Sequence, residues 1–66
     1  MDIFTLTDHT GVVIATVDRA AALARARAMV EARAIVQPIP TPHLVVQVWR
    51  DGVADWREGI HVYAGQ

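Results

Sequence analysis

The stretch HLVVQVWRDGVADWREGIHVY, residues 43–63, decides the fold because it predicts a β-hairpin. At its centre lies Asp51-Gly52, a dipeptide preferred in two-residue type I′ turns, in which both residues take a positive φ angle. The flanking runs, 43–50 and 53–63, are rich in the β-branched and aromatic residues that favour strands. We therefore expect two antiparallel strands joined by a tight turn.

Pairing about this turn predicts apolar residues on both faces of the hairpin. It sets Trp49 opposite Ala54 and Gln47 opposite Trp56. Alternate residues of a strand point to opposite faces, so one face takes Val45, Trp49 and Trp56 and the other takes Leu44, Val46 and Val48. Gly59 predicts a bulge farther along the second strand.

A second hairpin is predicted at the N-terminus. Residues 2–7 alternate in hydropathy, residues 12–17 are β-branched, and the turn formers 8–11 separate them. A loop of four residues sets Leu6 opposite Val13 and Phe4 opposite Ala15. Ile14 is then expected on the opposite face from Phe4 and Leu6.

Between the hairpins, residues 19–34 predict a helix. Asp18 is a good N-cap, and the following residues are almost all strong helix formers. One stripe of this helix is apolar and is expected to lie on the sheet: Leu23, Ala26, Val30 and Ala34, with Ala22 and Met29 beside it. The other side carries Ala21, Ala24, Ala28 and Ala32, for which a second contact surface and a plain solvent-facing helix are both open, the latter being favoured.

Three prolines in residues 35–42 predict an extended crossing from the helix to the second hairpin. Residues 64–66 are expected to fray. The predicted fold class is α+β: a four-stranded antiparallel sheet with one helix on one face, in the order β-β-α-β-β. Residues 1–66 are expected to form a single small domain.

The composition excludes several kinds of protein. With 66 residues and no cysteine, the chain cannot hold a dinucleotide fold or a (β/α)₈ barrel, form disulfides or bind zinc through thiolates. The core of so small a domain supplies only about 3–5 kcal/mol, so support from a partner or a second copy is expected. There is no signal peptide or membrane span, which predicts a cytoplasmic protein. Arginine without lysine, beside eleven alanines, indicates GC-rich coding, typical of bacteria and their phages.

The uncovered face of the sheet is the main functional prediction. One helix covers only one face, so a monomer should be polar on the other. The expected register instead leaves that face with Ile3, Val12, Ile14, Val45, Trp49, Trp56 and Ile60. The candidate interface residues, with tryptophans as anchors and arginines as a polar rim, are Ile14, Val45, Trp49, Arg50, Trp56 and Arg57.

We therefore predict a non-enzymatic protein-interaction module that forms a homodimer through this face. A larger protein is the second possible partner, in which case the chain would regulate or inhibit a larger complex by steric occupation. Two bland alternatives are a strongly twisted sheet and a Pro-rich segment folded over the face.

A nucleic-acid-associated regulator is the alternative function. Its candidate contacts are the helical arginines Arg19, Arg25, Arg27 and Arg33. These point in directions spread around the helix, and the net charge of the whole chain is −1, so nucleic acid is not the favoured partner.

No catalytic residue, metal ligand or cofactor is predicted. The chain has no serine or cysteine nucleophile, and Asp55 and Glu58 are expected to be solvated. Of the three histidines, His43 and His61 are expected as diagonal neighbours near one end of the second hairpin, but no spacing resembles a zinc signature. His9 lies in the first predicted turn. We interpret all three as ordinary turn and strand residues.

Overall fold

The architecture is an antiparallel sheet with a helix across one face, as seen in a computed structural model that describes residues 1–65. The elements are β1 (Asp2–Asp8), β2 (Gly11–Thr16), α1 (Arg19–Val36), β3 (His43–Arg50) and β4 (Val53–Tyr63). The sheet has four strands in the order β2-β1-β3-β4, with every neighbouring pair antiparallel. The predicted fold class is confirmed. β1 and β3 are the central strands, so β2 and β4 form the two edges.

The turn between β3 and β4 has the predicted type I′ geometry. Asp51 has a φ of 50° and Gly52 a φ of 82°, and Trp49 pairs with Ala54 as expected. Nothing lies within 4 Å of the position that a Cβ on Gly52 would take. The backbone conformation alone therefore requires glycine here.

Replacing Gly52 by alanine is expected to lower the free energy of unfolding by about 1 kcal/mol, the cost of a left-handed conformation for a residue with a Cβ. Thermal unfolding followed by circular dichroism should show a midpoint lower by about 4–8 °C. Gly52→Asn is the control, because asparagine tolerates this conformation and should keep most of the stability. A Gly52→Ala midpoint equal to that of the wild type would contradict the role of the turn.

The core lies between α1 and the sheet. Its most completely buried large side chains are Leu6, Val30 and Val46. The other buried core residues are Phe4, Ala22, Ala26, Val48 and Val62. The predicted helix stripe is thus confirmed as the face that contacts the sheet.

The caps of α1 explain where it begins and ends. The Asp18 carboxylate accepts a hydrogen bond from the Ala21 N–H at 3.2 Å, as an N-cap does. The helix continues to Val36 instead of ending at the predicted Ala34. A proline disfavours the helical conformation in the residue before it, and the first proline after α1 is Pro38. The restricted residue is therefore Gln37, so the helix can continue to Val36.

The pairs predicted for the first hairpin, Leu6 with Val13 and Phe4 with Ala15, are wrong. Next to the turn the register is the expected one, with Thr7 opposite Val12 and one further pair between Asp8 and Gly11, but an irregularity in β2 then sets Leu6 opposite Ile14. The Asp8 carboxylate accepts hydrogen bonds from the side chain and backbone of Thr10, at 2.5 and 2.7 Å, and these bonds lower the pKa of Asp8. Ile14 therefore lies on the helix side and packs against the core, not on the opposite face as expected.

The C-terminal residues are held more firmly than predicted. The Ala64 N–H donates to the Pro42 carbonyl at 3.1 Å, and the Gly65 N–H donates to Glu31 Oε1 at 2.9 Å. These bonds connect residues 64 and 65, which were expected to fray, to the crossing and to α1, whereas Gln66 lies outside the described residues. Across residues 1–65, no helix combines the length and apolar character that a bilayer crossing needs.

Candidate interaction surface

The sheet face opposite α1, called here the open face, is defined by the strand registers. Ile3 pairs with Trp49, Thr5 with Gln47, and Val45 with His61, all on the side away from the buried residues. The registers place the following residues on the open face: Ile3, Thr5, Thr7, Val12, Ala15, His43, Val45, Gln47, Trp49, Ala54, His61 and Tyr63.

None of the residues that the registers place on the open face is Asp, Glu, Lys or Arg. An antiparallel sheet with one solvated face ordinarily alternates apolar and polar residues, with the polar ones outward. Depletion of charge together with aromatic residues is typical of the centre of a protein interface. The open face therefore differs from an ordinary solvated surface.

Trp49 is the large aromatic side chain on the central strand β3. It pairs with Ile3 on one side and Ala54 on the other, and it is 36% exposed. Its indole Nε1 donates a hydrogen bond to Thr5 Oγ1 at 2.8 Å. That bond uses the only polar atom of the side chain, so the indole offers an apolar ring held in place by a neighbouring strand.

Val45 lies farther along β3 and contacts the bulge in β4. A Cβ on Gly59 would lie 3.0 Å from Val45 Cγ1, so glycine at this position lets the valine side chain approach the backbone of β4. The predicted bulge at Gly59 is confirmed. Between the pairs Val46–Ile60 and Val48–Asp55, the four residues 56–59 lie opposite the single residue Gln47.

This bulge corrects the expected positions of two residues. Four residues of β4 lie opposite one residue of β3, so β4 has three extra residues here. Because three is an odd number, the residues of β4 that follow the bulge lie on the face opposite to that expected. Ile60 packs against the core instead of joining the open face, and His61 lies on the open face. The register is interrupted at Gln47, so Gln47 and Trp56 are not a regular pair.

Trp56 and Arg57 lie within the bulge. Trp56 is 76% exposed, and the Arg57 guanidinium carbon lies 5.5 Å from the centre of its indole ring. The Arg57 N–H donates to Asp55 Oδ1 at 3.2 Å, which holds the turn of the bulge. Asp55 is of intermediate exposure, and its carboxylate accepts this bond within the bulge.

Arg50 was expected at the rim of the open face, and this placement is wrong. It follows Trp49 directly, so its side chain starts on the helix side of the sheet. Its guanidinium forms ion pairs with Asp2, at 3.5 Å, and with Glu58. The Glu58 carboxylate is the main cause that raises the pKa of Arg50. Glu58 is exposed to solvent, as expected, and also forms this ion pair.

The arginines of the alternative function are all exposed on α1. Arg19, Arg25, Arg27 and Arg33 remain at the positions expected from the helix period, which spreads them around its axis. Nucleic-acid binding stays a prediction. The Pro-rich crossing lines a cavity near the C-terminal end of α1, together with residues of the helix and the first residue of β3: Arg33, Gln37, Pro40, Thr41, Pro42 and His43.

The end of the open face carries a cluster of three rings, two of which were predicted as neighbours. His43 Nε2 and His61 Nδ1 are 2.8 Å apart, which confirms the diagonal contact. Tyr63 stacks on His43, with ring centres 4.2 Å apart and planes 8° from parallel. The sequence analysis missed Tyr63, although its position two residues after His61 places both on one face of a strand.

The described part of the chain, residues 1–65, contains no group of three or more His, Cys, Asp or Glu residues arranged to hold a metal ion. Comparisons with protein-family models, curated proteins and solved structures gave no match to this chain.

Proposed function

We propose that the chain is a non-enzymatic protein-interaction module whose open face stacks against the open face of a second copy. The observation that carries the proposal is the absence of charged residues from the positions that the registers place on that face, combined with the exposed apolar side chains of Trp49, of Ile3 paired with it, and of Val45 farther along β3. When two such faces stack, apolar surface is removed from water, which is favourable. No charged side chain on these positions is buried without a partner, so the cost of burying a charge does not arise.

The size of the open face is sufficient for a small specific dimer. β3 has eight residues and the sheet has four strands. At about 3.3 Å per residue and about 4.8 Å per strand, the face covers about 500 Å² per copy. Two stacked faces therefore bury about 1,000 Å² in total, the lower limit for a specific interface.

The exposed surface of the whole chain is also large for its mass. The accessible area is 4605 Å² for 7.2 kDa. A typical monomer of that mass exposes about 4,100 Å². The exposed large apolar side chains include Ile3, Val45 and Trp49 on the open face, and a second copy offers a matching surface under two-fold symmetry.

Both edges of the sheet favour stacking of faces over pairing of edges. The β1–β2 ladder is irregular between Leu6 and Thr7, and the β3–β4 ladder is interrupted by the bulge at residues 56–59. Bulges twist an edge strand and disrupt its row of free backbone groups, which hinders the addition of another strand. The open face is thus the surface left for association.

The proposal is tested by the substitution Ile3→Arg, with Ile35→Arg as its matched control. Both isoleucines are exposed, but Ile3 lies on the open face and Ile35 lies near the end of α1. In a two-fold dimer Ile3→Arg puts two like charges into one apolar interface, so we expect dissociation to be favoured by about 100-fold or more. Ile35→Arg should leave the dimer unchanged.

The measurement is sedimentation equilibrium over a concentration series, with circular dichroism to show that each variant is folded. A dimeric wild type, a monomeric Ile3→Arg variant and a dimeric Ile35→Arg variant would support the proposal. A wild type that stays monomeric at the highest concentration would overturn it and favour a larger protein as the occupant of the face. A folded Ile3→Arg variant that stays dimeric would exclude the open face as the contact.

A further inference from the structure

The two histidines on the open face form a hydrogen bond that depends on their protonation state. His43 Nε2 and His61 Nδ1 are 2.8 Å apart. A bond between two imidazole nitrogens uses an N–H of one ring and the electron pair of the other. When both rings are charged, both nitrogens carry a proton and neither can accept. The contact is therefore compatible with a neutral pair and is lost when the pair is doubly charged.

The same two rings are the groups that bring charge to the open face as the pH falls. The residues that the registers place there include no Asp, Glu, Lys or Arg, and a tyrosine hydroxyl such as that of Tyr63 is uncharged in neutral and acidic solution. Histidine is the side chain whose charge ordinarily changes between pH 5 and 8. The open face is thus free of charge only while His43 and His61 are neutral.

We propose that His43 and His61 make association through the open face depend on pH, an inference that rests on the proposed dimer. Two copies stack while both histidine pairs are neutral. Protonation puts charge into an apolar contact between two faces, where it loses water and meets the like charge of the second copy. The copies therefore separate as the solution becomes acidic.

The surroundings of the pair do not supply a charge that would stabilise the protonated rings. Among residues 1–65, no Asp or Glu forms an ion pair with either ring. Arg33 lines one cavity together with His43, and a positive charge nearby disfavours another. Glu31 accepts the Gly65 N–H instead. The titratable and charged groups at this end of the sheet come from β4, α1 and the β1–β2 turn: Tyr63, Glu31, Arg33, Asp8 and His9.

The direction and size of the effect follow from proton linkage. A dimer that excludes protons holds fewer of them than two separate copies do, so its affinity falls as the pH falls. Suppose that each copy excludes one proton from a group that titrates at the ordinary value for histidine, about 6.5. The dissociation constant then rises by about 100-fold between pH 7.5 and pH 5.5, because each copy contributes about tenfold.

The experiment is sedimentation equilibrium of the whole chain at pH 7.5 and pH 5.5, with the ionic strength held constant. We expect the dissociation constant of the wild type to rise by about 100-fold or more at pH 5.5. The double variant His43→Gln/His61→Gln keeps neutral polar side chains at both positions and should associate equally well at the two pH values. His9→Gln is the matched control, because it removes the third histidine, in the β1–β2 turn, and should keep the wild-type pH dependence. Circular dichroism at both pH values shows whether each protein is folded.

Proton NMR of the wild type gives a second readout that needs no substitution. Because the coupling between protons and the second copy is reciprocal, the imidazole resonances of His43 and His61 should titrate at a lower pH in concentrated, dimeric protein than in dilute, monomeric protein. Equal titration in both samples would overturn the inference.

The outcomes separate this inference from the dimer itself. A wild type that is dimeric with the same affinity at both pH values overturns the pH dependence and leaves the dimer standing. A double variant with the pH dependence of the wild type also overturns it, since other groups would then be responsible. A wild type that is monomeric at both pH values overturns the dimer and the inference together.

Discussion

Leu6→Ala is expected to lower the free energy of unfolding by about 3 kcal/mol. Leu6 is fully buried in β1, a central strand with β2 on one side and β3 on the other, and α1 lies above it. Removing its side chain leaves a cavity that the paired strands cannot close, so the loss of packing adds to the loss of apolar burial. A domain of this size has only about 3–5 kcal/mol to lose, so the variant should be largely unfolded near 37 °C.

Urea unfolding at one fixed protein concentration measures this effect, because association would otherwise add to the stability. Val53→Ala is the control: Val53 is 68% exposed on edge strand β4 and lies off the open face, and its truncation should change the free energy by less than about 0.5 kcal/mol. Equal unfolding midpoints for Leu6→Ala and Val53→Ala would show that the core is not centred on β1.

Ala26→Leu is expected to lower the free energy of unfolding by about 2–3 kcal/mol, although leucine forms helices nearly as well as alanine does. Ala22 and Ala26 are both fully buried between α1 and the sheet. Small side chains at these two positions let the helix backbone lie close to the strands. A leucine at position 26 must push the helix outward or adopt a strained rotamer.

Ala28→Leu separates packing from helix propensity, because Ala28 is exposed on the same helix. The two variants carry the same chemical change, so the difference between their urea midpoints measures the constraint at the helix–sheet contact. A stable Ala26→Leu variant, equal to Ala28→Leu, would mean that α1 does not lie as close to the sheet as described.

The elements that sequence analysis predicted correctly depend on interactions between near neighbours. Asp51-Gly52 specifies its turn through the φ angles of two residues. Asp18 caps α1 by binding an N–H three residues away, and the apolar stripe of α1 follows from the helix period alone. Local rules of this kind were sufficient for the element order and the fold class.

The errors arose where pairing between strands depends on an extra residue. In the first hairpin the register next to the turn is the expected one, but an irregularity between Leu6 and Thr7 adds one residue to β2 and moves Ile14 to the helix side. Gly59 signalled a bulge, but not how many residues it holds, so Ile60 was assigned to the wrong face. The alternation of apolar and polar residues in one strand does not reveal how many residues the paired strand contains over the same length.

The candidate surface was predicted in part. Val45 and Trp49 lie on the open face as expected, because both belong to the regular central strand β3. Arg50 was misplaced for a different reason: Trp49 before it is on the open face, but the ion pairs of Arg50 with Asp2 and Glu58 lie on the other face. Those carboxylates come from β1 and β4, and only the folded sheet brings them together.

The bulge at residues 56–59 also gives β4 a segment whose length the strand pairing does not fix. Asp55 is held opposite Val48 on one side of it, and Ile60 is held opposite Val46 on the other. A residue removed from or added to this segment therefore changes the size of the bulge and leaves His61 on the open face and Ile60 on the helix side. The same change in a regular part of the strand would exchange the faces of the residues that follow it. Changes in the length of β4 should accordingly be tolerated within the bulge and not outside it.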